Sequence, residues 1–391
     1  MNSVKETYRN VNIFIDDSNH GFLQGITSDH NGNVIVCGHD EDFISLRITK
    51  FDNVLRDVKQ EIVLRDEKCK YFYGITVDSD NVFVCGMIDY DFCIVKLNSS
   101  LNLIKQVIVD IGEATASYGM ATDYNGNVFV CGSHDKDFYI AKLNNDLNIV
   151  KQITINNDGD GIFRNLATDC NGNVFVCGYI NTGILNNGLY IAKFDNDLNV
   201  IKQMVIESGK RSYLIGITID DNGNVFVCGK TCNECYVAKI ANDLNHIKQI
   251  AINGGKKTDF HGISTDPHGN VFVCGQTKEN LSSNLCVAKF DNNLLLVKHV
   301  VCACDGVTIS RDGLTIDSNG NVFTCGTFHS DFVNTPFIIK FNDNLDYPDK
   351  LKAGSYTFTF SEPTWISTVQ DYPVTVENWV PIIQNWIPRV V

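Results

Sequence analysis

GNVFVCG is written into this chain seven times with little change. The copies are GNVIVCG (32–38), NVFVCG (81–86), GNVFVCG at 126–132, 172–178, 223–229 and 269–275, and GNVFTCG (320–326). Their cysteines stand at 37, 85, 131, 177, 228, 274 and 325, six intervals over 288 residues with a mean of 48. A fixed recurrence of this kind marks a repeat architecture, and seven units of that length fall in the range of propeller blades.

Each unit divides into four strand-like pieces. In the third unit these are Gly119–Asp123, Val128–Gly132, Phe138–Leu143 and Ile149–Asn156, with Asn, Asp and Gly at every junction. Such punctuation is what hairpin turns require, and here it places Asn-Gly at the turn between the first two strands. A four-stranded meander repeated seven times closes into a ring, which hides the sheet faces and leaves only short edges. The reading is an all-β, seven-bladed β-propeller of four-stranded antiparallel blades over residues 1–353, followed by a tail, 354–391. The vocabulary agrees: hydrophobic residues make up 44% of the 391 and charged residues 20%, enough to fill a core and too little charge for a disordered chain.

The repeat resembles that of the SBBP family, seven-bladed β-propellers whose unit reads roughly D-x-x-G-N-V-x-V-x-G before a strand ending in A-K-L or A-K-F. Asp169-Cys170-Asn171-Gly172-Asn173-Val174 and Tyr190-Ile191-Ala192-Lys193-Phe194 carry both halves, and the likeness covers about residues 21–350. The departures are Cys before the last Gly of the motif, and a missing Gly in the second unit, DSDNV (78–82). The resemblance implies the fold and says almost nothing of function.

Closure is also legible. The last unit has Asp346-Tyr347-Pro348-Asp349 where the others carry an I-K-Q strand, and Pro makes a poor outer strand. VNIFIDDSNHGFLQGI (11–26) aligns with KQITINNDGDGIFRNL (151–166). Residues 11–16 are therefore expected to complete the last blade, closing the ring by an N-terminal strand.

The chemical motifs read mostly as architecture. D-x-N-G-N imitates the start of a calcium loop, but twelve positions on from Asp169 stands Ile180 instead of a bidentate acid. The Asp is expected to cap its own turn. The seven repeat cysteines are expected to be small apolar filler, too far apart from blade to blade for disulfides. Cys232 and Cys235 form a lone CxxC, and His39 and His329 lie near acids on loops of the neighbouring blades 1 and 7; these four are weak metal candidates without the second pair that zinc sites need. No metal or cofactor is expected. Lys50, Lys96, Lys142, Lys193, Lys239, Lys289 and Lys340 recur in register with Asp29, Asp78, Asp123, Asp169, Asp220, Asp266 and Asp317, which suggests a repeated ion pair; a lysine ring for an anion is the other reading. The connection between second and third strands varies most, from 133–137 to 179–188, 276–284 and 327–335, and is read as the variable loop face.

A net charge of −14 disfavours nucleic-acid binding, and no 18-residue apolar run suggests a membrane span. The polar N-terminus and 15 cysteines suggest an intracellular, reducing location. The tail holds Tyr356, Phe358, Phe360 and all three tryptophans, Trp365, Trp379 and Trp386, which are read as interface anchors of a docking arm. With no G-x-S-x-G, P-loop or H-E-x-x-H in the chain, the expected function is a non-catalytic scaffold in a larger protein assembly, by protein partners or self-assembly. The Asn-, Ile-, Lys- and Asp-rich usage is that of an AT-rich genome, and suits a component of a viral particle. The alternative is a propeller that binds or transforms a sugar or small molecule at its axial mouth or loop face.

Overall fold

The turns show why each repeat becomes a blade. In the opening motif of blade 4, Asp169 Oδ1 accepts the backbone N–H groups of Asn171 and Asn173 at 2.9 and 2.8 Å. The Gly172 N–H donates to the Asp169 carbonyl at 2.9 Å, and Gly172 has φ +78°. This is a type I turn followed by a left-handed residue, so Cys170-Asn171 forms the corner and Gly172 the bulge. The reversal lies one residue earlier than Asn-Gly suggests. The second unit needs no glycine because its loop is one residue shorter, and the Asp78 N–H reaches the Asn81 carbonyl directly at 3.0 Å.

The turn between third and fourth strands has the same form with leucine in the left-handed place. Leu55, Leu101, Leu147, Leu198, Leu244, Leu294 and Leu345 all have φ between 52° and 58°, and all are at most 3% exposed. A left-handed non-glycine costs about 1–2 kcal/mol, which burying the leucine side chain offsets by about 1.5–3 kcal/mol. Leu198→Gly, which frees the backbone and loses the side chain, is expected to destabilise by roughly 1–4 kcal/mol in urea unfolding. A gain in stability would show that strain outweighs burial there.

The computed structural model describes residues 3–8, 11–16, 21–65, 70–89, 91–109, 116–156, 160–181, 187–208, 212–232, 234–253, 258–279, 282–304, 308–330, 333–362, 364–377, 381–384 and 388–390. The secondary structure is all β: seven sheets, each built on one repeat. Blade 3, for example, runs Ala116–Thr122, Val128–His134, Asp137–Leu143, Ile149–Ile155 from the axis outwards. The hydrophobic core lies between blades. One cluster joins Phe175, Cys177 and Ile191 of blade 4 to Leu214, Val227 and Tyr236 of blade 5, and other clusters span the remaining junctions in the same way.

The last blade is closed by the N-terminus: Val11–Asp16 pairs antiparallel with Val333–Phe341, with Ile13 opposite Ile339. Ser3–Tyr8 then adds a further strand outside it. The long second-to-third connections are not loops for most of their length. Gln276 to Glu279 pair residue by residue with Ser282 to Leu285, so the added residues lengthen the hairpin because their backbone groups can continue the ladder.

The tail runs backwards around the ring. Lys350–Ala353 and Tyr356–Ser361 form a hairpin on the outer strand of blade 6. Ile366–Gln370 then pairs with blade 5, Val374–Glu377 with blade 4, Pro381–Gln384 with blade 3 and Pro388–Val390 with blade 2. On blades 5, 4 and 3 the pairing starts at the equivalent glutamine, with Gln370 opposite Gln249, Glu377 opposite Gln203 and Gln384 opposite Gln152. Blade 1 carries four strands among the described residues. Its outer strand has Ile62, Val63 and Leu64 half-buried, where the equivalent Ile153, Thr154 and Ile155 of blade 3 are buried. The pairing inside follows suit: Tyr139 donates to Gln152 at 2.8 Å in blade 3, and Arg47 and Glu61 make an ion pair at 2.9 Å in blade 1. A charged pair tolerates water at an open edge that a neutral buried pair does not need to face.

Candidate functional site

The repeat chemistry is structural, in a form the spacing did not disclose. In blade 4, Lys193 Nζ bonds the carbonyl and Oδ1 of Asn242, which belongs to blade 5, at 2.9 and 2.5 Å. The Nδ2 of the same Asn242 donates to Asp169 Oδ2 at 3.1 Å. One asparagine from the next blade thus joins the lysine and aspartate of blade 4, and Asn145, Asn196 and Asn292 do the same for blades 2, 3 and 5. Six of the lysines also lie 5.0–5.7 Å from a Phe ring, as Lys193 does over Phe175. Between blades 1 and 2 the bridging position is Ser99, and there Lys50 pairs with Asp29 directly at 2.9 Å. A polar cavity of about 500 Å³, lined by Asp29, Lys50, Lys59, Asp78 and Ser99, opens beside it.

Burial tends to raise the Asp29, Asp78 and Asp169 carboxyls, but hydrogen bonds from neighbouring amides outweigh it and hold all three below the usual carboxylate range. A carboxylate whose folded pKa lies below its unfolded value adds stability at neutral pH and loses it as pH falls from about 3.9 through the folded value. Thermal stability is therefore expected to be flat from neutral pH to about 5 and to fall below about 4. Calorimetry across that range checks it, and a melting temperature that rose on acidification would contradict it.

The seven repeat cysteines are buried, and burial pushes the Cys177 thiol well up. Their sulfurs fill the space over the inner-strand glycines: a Cβ on Gly216 would lie 2.8 Å from Cys228 Sγ. Cys235 is buried in the core between blades 5 and 6, whereas Cys232 is exposed at the hairpin turn. His39 and His329 lie on either side of Phe22, their rings 5.0 and 5.8 Å from it, and His39 Nδ1 is within 3.0 Å of the Asp40 carbonyl oxygen. Among the described residues no three His, Cys, Asp or Glu side chains are grouped to hold a metal.

The tail aromatics meet their own propeller. Phe358 and Phe360 are buried in the core between blades 6 and 7, and Tyr356 stacks on Phe328 at 5.4 Å. Trp365 is buried with its ring 4.5 Å from His299, and Tyr372 lies 6.2 Å from Tyr236 while its carbonyl accepts from Gln249 at 3.1 Å. Phe358, Phe360 and Trp365 are thus anchors within the chain and offer no surface to a neighbour. Trp379 and Trp386 lie outside the described residues. In the sequence, Trp365, Tyr372, Trp379 and Trp386 are spaced by seven. What the tail does turn outwards is apolar. Ile366, Val369, Val374, Val376 and Ile382 are 39–76% exposed on the rim of blades 5, 4 and 3.

The units differ most at the axis. Every inner strand carries a β-bulge before the residue opposite the repeat cysteine, and the bulged residue is Gln24, Tyr73, Tyr118, Arg164, Ile215 and His261 in blades 1–6. A bulge re-aims a side chain and leaves it out of the ladder. All six line an axial cavity of about 570 Å³, together with Asn165, Tyr179 and Tyr213. The Arg164 guanidinium lies 4.3 Å from the Tyr118 ring and 5.6 Å from that of Tyr179. Tyr73 lies 5.7 Å from Tyr118 and stacks on Tyr71 at 6.3 Å, so one wall is a run of aromatic faces. On the other side Lys230 ion-pairs with Asp259, and the Tyr213 hydroxyl lies 3.4 Å from the same carboxylate. Burial, then the Asp259 charge, pushes the Tyr213 phenol up to about 12.

The β-propeller repeat family SBBP matches residues 202–233 and 247–282. No curated protein matches the chain in sequence. Among solved structures, a subtype N10 neuraminidase-like protein of A/little yellow-shouldered bat/Guatemala/060/2010 aligns with 88% of this chain and 100% of its own at 10% identity and a TM-score of 0.46. The polysaccharide lyase Uly1 aligns with 84% of this chain and 91% of its own at 8% identity and a TM-score of 0.49. A puromycin hydrolase aligns with 81% of this chain and 51% of its own at 10% identity and a TM-score of 0.54, a likeness of fold alone. Repeat, register and closure together make this chain a seven-bladed β-propeller, two stretches of which match the SBBP repeat.

Proposed function

We propose that this chain is a non-catalytic scaffold that associates with further copies of itself through the outer face of its tail. The observation that carries the reading is the division of the tail into two faces. Phe358, Phe360 and Trp365 hold it to the blades, while Ile366, Val369, Val374, Val376 and Ile382 form an apolar row in solvent around the rim. Such rows mark association surfaces. This one lies on short edge strands that also carry Ser367, Thr368 and Thr375, and a second copy of the same row is the partner proposed for it. Two features support the non-catalytic part: Asp259 at the axial mouth is engaged by Lys230 and Tyr213, and burial keeps the repeat thiols protonated. The buried, reduced cysteines also suit a reducing compartment.

Light scattering of the full chain tests the reading. The native chain is expected to form a discrete oligomer at micromolar concentration, and a variant with Val369→Ser, Val374→Ser and Val376→Ser is expected to be a monomer with unchanged circular dichroism. A native chain that is monomeric at about 100 μM would sink the proposal.

A further inference from the structure

The axial mouth is a second site, built from residues that the rim does not use. Its composition is specific. Six of the seven equivalent bulge positions carry Gln, Tyr, Tyr, Arg, Ile and His, and the side chains of the seventh, 311–312, lie outside those described, so the repeat is broken here on a ring of residues that converges on the axis. Arg164 has aromatic rings against its guanidinium and, among the described residues, forms no ion pair or hydrogen bond with a carboxylate. In a chain of net charge −14 that is an uncommon state for an arginine in a cavity. A guanidinium sandwiched by rings keeps its edge, with its fork of N–H donors, for a planar anion.

From this geometry we infer that the axial mouth binds a carboxylated sugar, a hexuronic acid residue. Three features favour that class. Among the described residues Arg164 is the one cation of the mouth without a carboxylate partner, and the Asp259 carboxylate already has Lys230, which suits a monoanion better than a dianionic phosphate. Gln24, Asn165 and His261 bring groups that both donate and accept, as sugar hydroxyls require and a benzoate-like ring does not use. Tyr73, Tyr118 and Tyr179 offer ring faces for the apolar face of a pyranose. The cavity of about 570 Å³ has the size of a small-ligand site.

Calorimetric titration of the full chain with D-glucuronate, D-glucose, benzoate and inorganic phosphate decides it. Glucuronate is expected to saturate one site per chain, with the other three at least about tenfold weaker. Arg164→Gln is expected to lose about tenfold or more in glucuronate affinity at an unchanged melting temperature. Arg164→Lys, which keeps the charge and loses the fork, is expected to weaken binding as well, and Tyr118→Ala serves as an independent probe should either arginine variant fold poorly. Equal binding of glucose, benzoate or phosphate would overturn the class, and so would a loss below about twofold in every variant. Absence of saturable glucuronate binding at about 20 mM would overturn the site. The rim variant is expected to bind glucuronate as the native chain does, and a variant that did not would overturn the independence of the two sites.

Discussion

Removal of residues 355–391 is expected to lower the melting temperature sharply and to turn a well-behaved protein into an aggregating one. The tail contributes Phe358, Phe360 and Trp365 to the buried core. Each such side chain is worth about 1.5–3 kcal/mol on burial. Its strands also satisfy the outer backbone groups of blades 2 to 6. Truncation would leave five apolar outer strands open, and long uncovered strands template association. Residues 1–354 are therefore expected to unfold at a melting temperature lower by about 5 °C or more. Their light scattering should grow with time. A truncated chain that stayed monodisperse with an unchanged melting temperature would show that the tail is decoration and that the four-stranded blades suffice. The shorter truncation at residue 362, which keeps the blade 6 hairpin with Phe358 and Phe360, separates the two contributions: it retains most of the buried aromatic area and still exposes blades 2 to 5.

The second large effect is expected at the junctions between blades. Asn242→Ala removes the amide that serves Lys193 and Asp169 together, leaving two ionised groups short of partners in a poorly hydrated seam. The expected loss is about 2–3 kcal/mol in denaturant unfolding. Lys193→Met fills the space over Phe175 with an apolar chain of similar length and leaves the Asn242 oxygen without its donor. A double-mutant cycle over the two positions should return a coupling well above about 0.5 kcal/mol, the level at which independent sites merely add. Additive losses would mean that lysine and asparagine are packed beside each other without acting as a unit.

Much of the fold was legible because its signals are local. The D-x-N-G-N turn, the alternation in NVFVCG and the glycine after each cysteine act within a few residues of one another, and a 48-residue period repeats them seven times. The N-terminal strand was legible by the same token, since 11–26 carries the pattern of a fourth strand and the next first strand. The left-handed leucines were not, because leucine at that turn is explained only by the burial it reaches. Lys and Asp could be seen to recur in register, yet the asparagine that joins them stands in the next blade, 49–54 residues from the lysine. Phe358, Phe360 and Trp365 were expected to anchor a docking arm, and they are buried against their own propeller.

By itself the sequence determined the number of blades, the four strands of each, the closing strand and the apolar role of the repeat cysteines. Those follow from turn chemistry and strand alternation, whose range is short. The tertiary structure alone decided which edges the tail covers and in what order, which asparagine bridges which ion pair, and that Gln24, Tyr73, Tyr118, Arg164, Ile215 and His261 share one cavity. Those relations join residues that are distant in the chain and equivalent by the ring's symmetry. A bulge turns each side chain towards the axis, but only closure of all seven blades brings the axis into being.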